Sequence, residues 1–122
     1  MKLVIALLLI SGAGSAYALD CKNAANTLEM NQCADIEQKQ VEQKLNAVYQ
    51  KTLKEFGGAD DAGTKAALIN AQRAWVKFRE ADCKAEYKKW EGGTIRSVMF
   101  SGCMQDRAQK RIKELEEFPQ RG

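Results

Sequence analysis

Four cysteines, Cys21, Cys33, Cys83 and Cys103, constrain this chain more than any other feature. An even number of thiols in a small exported chain is the framework for two disulfides, and two bridges limit which segments can lie together. Export is what the N-terminus predicts. Lys2 precedes an unbroken apolar run from Leu3 to Ile10, and Ala16-Tyr17-Ala18 is a small-x-small cleavage site. This run falls far short of the roughly 20 apolar residues a membrane-spanning helix needs. Residues 1–18 therefore read as a secretory signal peptide, and residues 19–122 as one disulfide-stapled domain destined for the periplasm or the medium. Cys21 does not read as a lipid acceptor, because Asp20 precedes it where a small residue is required.

Without the signal the balance is 18 basic against 16 acidic residues, since the signal holds one of the 19 bases and no acid. The two signs are interspersed, so there is no basic block to track a phosphate backbone, and nucleic acid is excluded as a ligand class. The cysteine spacings of 12, 50 and 20 do not suit a four-cysteine zinc site, whose ligands come in close pairs.

Helical periodicity dominates the domain. Asn26 can cap a helix with Glu29 closing a capping box, and Cys33, Ala34, Val41, Leu45, Val48 and Thr52 then recur at three- and four-residue steps until Phe56 meets Gly57-Gly58. This predicts a first helix over 27–56. After the polar connection 57–63, Leu68, Ile69, Gln72, Trp75, Val76, Arg79, Cys83, Tyr87 and Trp90 share one broad stripe and predict a second helix over 64–90. Gly92-Gly93 can form a left-handed C-cap and Thr94 can cap the next start. Val98, Met104, Ala108, Ile112 and Leu115 form a third stripe before Pro119. The expected fold is all-α, an antiparallel helical hairpin with a third helix folded back on it. Hairpin geometry leaves two cysteine pairings open: Cys83–Cys103 with Cys21–Cys33, or Cys33–Cys83 with Cys21–Cys103.

In one order along the chain stand Cys21, Asn26-Thr27-Leu28-Glu29, Cys33, Leu45-Asn46, Tyr49, the run from Ala71-Gln72-Arg73-Ala74-Trp75 through Phe78-Arg79-Glu80 to Cys83, then Cys103 and Arg107. In these residues the chain resembles the LprI-type lysozyme-inhibitor-like domain family over nearly all of residues 19–122. Glu42 and Glu80 stand where that family tends to have Asp, and both keep the charge. The resemblance implies a small exported helical domain, the pairing Cys21–Cys33 and Cys83–Cys103, and a protein partner such as a lysozyme or another cell-wall hydrolase.

The chain has no histidine, which removes the commonest general base and any Ser-His or Cys-His pairing. No C-x-x-C, G-x-x-x-x-G-K or G-x-G-x-x-G occurs, so no redox, haem or phosphate-binding motif calls for a cofactor. A carboxylate-dependent hydrolase would have to draw on Glu29, Asp35, Glu37, Glu42, Glu80, Asp82 and Glu86, acids that fit a solvated helix face forming pairs such as Glu80–Lys84. The expected activity is therefore binding and not catalysis, with a structural or stress-related envelope protein as the alternative to an inhibitor. Gln72, Arg73, Trp75, Arg79 and Glu80 read as architecture: Arg79 paired with Glu42 or Glu37 or capping carbonyls near a helix end, Gln72 bonded across the hairpin, Trp75 in the core. Two surfaces are candidates for a partner, the aromatic pair Tyr87 and Trp90 beside the second turn, and the acidic loop with Asp60 and Asp61.

Overall fold

A computed structural model describes residues 19–122; the predicted signal peptide lies outside the described residues. Helix α1 spans Thr27–Glu55, α2 Ala62–Lys89 and α3 Arg96–Glu117, with short 3-10 turns at Cys21–Asn23, Ala59–Asp61 and Phe118–Gln120. The fold is all-α, as expected, and the described residues include no strand.

Local chemistry sets the helix ends. Asn26 Oδ1 accepts the Glu29 amide at 2.9 Å, and the Glu29 carboxylate turns back to accept the Ala25 amide at 2.6 Å, so both sides of the capping box are made. At the far end of α2, Gly92 adopts φ +86, which side chains with a Cβ resist, and the Gly93 amide donates to the Trp90 carbonyl. Thr94 does not cap α3, contrary to expectation. Gly93 and Thr94 are still used in reversing the chain, so the helix enters through Ile95 with no side-chain cap.

The third helix lies against both others, in close backbone contact first with α1 and then with α2. It runs parallel to α1: Gln105 Nε2 donates to the Ala34 carbonyl at 3.1 Å near one end, and Thr52 Oγ1 donates to the Leu115 carbonyl at 3.2 Å near the other. It runs antiparallel to α2, as the Cys83–Cys103 and Tyr87–Phe100 contacts require.

The two halves of this bundle are held differently. Leu45, Leu53, Leu68, Ala108, Ile112 and Leu115 form the buried cluster, with Val41, Val48, Tyr49, Ile69, Trp75 and Phe118 packed around it. All lie toward the α1–α2 connection. The other half carries both disulfides, Cys21–Cys33 with a Cα–Cα distance of 5.5 Å and Cys83–Cys103 with 5.6 Å, which is the pairing the resemblance implied. Covalent staples thus stand where apolar burial is thin, as small domains with limited cores require.

Candidate functional site

The motif residues of α2 turn one face inward. Arg79 is only 6% exposed, and its guanidinium donates through both Nη atoms to Glu42 of α1. The Trp75 ring lies 4.8 Å from the Arg79 carbon centre, with Arg111 of α3 at 5.9 Å. Trp75 is half-buried and packs on the edge of the core. Gln72 is buried, and its Oε1 accepts from Arg111 Nε at 2.9 Å. The partner is therefore on α3 and not across the α1–α2 hairpin, because α3 is the helix that closes against α2. Arg73 and Glu80 point to solvent, and the expected Glu80–Lys84 pair is not formed among the described residues.

Several acids that a hydrolase would need are already engaged. Glu29 caps α1, Glu42 holds Arg79, and Asp82 accepts from Arg107 Nε at 2.8 Å. The Arg107 proton is bound more tightly as a result, first through the Asp82 hydrogen bond. Ligand atoms of Asp82, Cys83 and Cys103 lie within 4.8 Å of one another, yet both sulfurs belong to one disulfide and neither is a thiolate that could hold a metal.

The two candidate surfaces occupy opposite ends of the molecule. Asp60 and Asp61 sit in the 3-10 turn before α2, in no ion pair among the described residues. Tyr87 and Trp90 sit at the other end of that 28-residue helix, about 40 Å away at 1.5 Å per residue.

The aromatic end is the more organised of the two. Tyr87 and Trp90 are 37% and 38% exposed. Trp90 donates its indole N–H to Glu86 Oε1 at 2.9 Å, which fixes the ring. That hydrogen bond, with a second from Lys89, holds the Glu86 carboxyl below the ordinary glutamate range. The Arg96 guanidinium lies 3.6 Å from the Tyr87 ring centre, and Phe100 meets Tyr87 edge-on at 6.0 Å. Arg96 and Phe100 were not legible as partners of Tyr87, although the tight Gly92-Gly93 reversal is the signal that brings the start of α3 back onto the end of α2.

Comparison with known proteins agrees with this architecture. The family described as Lysozyme inhibitor LprI matches residues 21–115. A protein of Rhizobium meliloti (strain 1021), described as uncharacterized, is 35% identical over 108 residues, covering 81% of this chain and 78% of the relative. The crystal structure of a DUF1311 family protein from Pseudomonas putida KT2440 superposes with a TM-score of 0.69 at 23% identity, over 80% of this chain and all of that one. At that identity the likeness speaks for the fold.

Proposed function

This chain belongs to the LprI lysozyme inhibitor family, and from that premise we propose that it is exported and acts outside the cytoplasm by occupying a lysozyme or another cell-wall hydrolase. The observation that carries the reading is the extent of the family match. Residues 21–115 run from the first cysteine through most of the third helix and take in both disulfides and every residue of the buried cluster. Export is supported by the signal-like residues 1–18 and by the two bridges, which persist in oxidising compartments. No helix among the described residues is long and apolar enough to cross a membrane.

The proposed action is contact. Gln72, Trp75 and Arg79 hold the helices together, and the Asp60–Asp61 turn and the Tyr87–Trp90 turn are the candidate surfaces carried over from the sequence. Titrating the oxidised protein into a lysozyme assay on cell-wall suspensions tests the reading. Loss of lysis near equimolar protein is the expected result, and undiminished lysis at a large molar excess, for lysozyme and for envelope hydrolases alike, would overturn it. Mass analysis of the secreted or periplasmic protein tests export, with a mature chain starting at Leu19 expected.

A further inference from the structure

We propose that the α2–α3 turn, residues 84–96, is the part of this protein that enters the carboxylate-lined sugar cleft of its target hydrolase; this rests on the functional reading above. The first argument is charge. The segment carries Lys84, Lys88, Lys89 and Arg96 against Glu86 and Glu91; Arg96 is turned onto the Tyr87 ring, and the three lysines are the exposed cations. Most glycoside hydrolases place two carboxyl groups roughly 5–9.5 Å apart across the scissile bond, so the floor of their cleft is acidic even where the exterior is basic. A basic turn complements that floor. The Asp60–Asp61 turn has the opposite sign and suits only the exterior.

The second argument is the state of the charges. Lys88 is paired with Glu91, and Lys89 with Glu86 at 3.1 Å, and both lysine side chains remain well exposed. Exposed pairs of this kind contribute little, so the ammonium groups can exchange these partners for cleft carboxylates at small cost.

Preorganisation is the third. Tyr87 and Trp90 are partly exposed, and each ring is held by neighbours, Trp90 by Glu86 with Lys89 over its ring and Tyr87 by Arg96 and Phe100. Aromatic anchors already ordered before contact lose little entropy on binding, which is the character of an interface hot spot. The Cys83–Cys103 bridge ties the two helices just behind the turn, so the segment meets a partner as a fixed shape. Beside it lies an open groove lined by Val98, Met99, Gly102 and the Cys103 end of the bridge together with Glu86 and Arg107.

The test is calorimetric binding of the oxidised protein to an animal lysozyme of the two-carboxylate type, with and without an N-acetylglucosamine trimer filling the cleft. Trp90→Ala and the double variant Lys88→Glu/Lys89→Glu are expected to weaken binding at least tenfold with unchanged circular dichroism. Asp60→Asn/Asp61→Asn is expected to bind within twofold of the parent. The sugar trimer should compete with the unsubstituted protein, a readout that needs no variant to fold. Binding that ignores the trimer, or is equally tight in the Trp90 and lysine variants, overturns the assignment of the turn while leaving an inhibitor intact. A parent protein that binds neither this lysozyme nor envelope hydrolases overturns the functional reading and the turn assignment with it.

Discussion

The Arg79 guanidinium, buried on α2, is held through both terminal nitrogens by Glu42 of α1, 37 residues away in sequence. Its Nε is buried without a hydrogen-bond partner, so Glu42 and the Trp75 face provide most of its compensation. The pair is asymmetric, because the Glu42 side chain is 36% exposed against 7% for Arg79. Removing the acid strands a charge that water cannot reach, whereas removing the base leaves a carboxylate that water can solvate. Glu42→Ala should therefore cost about 3 kcal/mol, the bottom of the range for breaking a buried pair, and more than Arg79→Met. An apolar double replacement, Glu42→Leu/Arg79→Met, should recover part of that loss. Urea midpoints at constant slope measure all three, and equal midpoints for Glu42→Ala and the parent would show that the pair behaves as a surface contact.

The two disulfides should differ in what they protect. They span 12 and 20 residues, so loop entropy alone assigns each about 3 kcal/mol. Cys83 of α2, however, is fully buried and its bridge joins α2 to α3, while the Cys21–Cys33 bridge, buried at its Cys33 end and exposed at Cys21, ties only a short turn to the start of α1. Cys83→Ala/Cys103→Ala is expected to lower the melting temperature further than Cys21→Ser/Cys33→Ser. Amide exchange should locate the loss in residues 84–103, with the Leu45–Leu53 and Ala108–Leu115 stretches protected longest, because the apolar cluster lies there.

Glu86 gives the aromatic turn a dependence on acid. Its carboxyl is depressed first by the Trp90 indole and then by Lys89. A depressed carboxyl favours the ordered form above its unfolded value, and that contribution is lost as pH falls through the folded value. In a Trp75→Phe background, Trp90 fluorescence should stay constant at neutral pH and change only below the ordinary glutamate range. Glu86→Gln keeps an oxygen for the indole N–H and should remove this transition. A midpoint at or above the ordinary range would contradict the hydrogen bond.

The elements were largely legible because their signals are local. Asn26 and Glu29 mark a start, the three- and four-residue steps mark a buried face, and Gly92 marks a stop. What periodicity does not encode is which helix covers a face. Gln72 and Thr52 fall on their stripes as expected, yet their partners are Arg111 and the Leu115 carbonyl, both on α3. The same holds for the candidate surfaces, since Asp60 and Trp90 each lie at a readable turn while their separation follows from the full length of α2. That Arg79 needs an acceptor within the fold, such as an acid on α1, was legible, because a cation on an apolar stripe needs a counter-charge; that Glu42 and not Glu37 supplies it follows from the packing.

Gly92 and Gly102 separate backbone conformation from space. At neither would an added Cβ meet another atom within 4 Å, so a substitution at either site acts through the backbone alone. Gly92 has φ +86 at the reversal that positions Trp90, whereas Gly102 lies inside α3 with helical geometry. Gly92→Ala should cost about 1 kcal/mol, and Gly92→Asn less, because asparagine tolerates the left-handed region. Gly102→Ala should stabilise by up to about 1 kcal/mol through helix propensity and a less flexible unfolded chain. Thermal unfolding followed by circular dichroism should show shifts of opposite sign, each of several degrees for a domain of this size. A loss at Gly102 equal to that at Gly92 would show that helix propensity does not decide the outcome at Gly102.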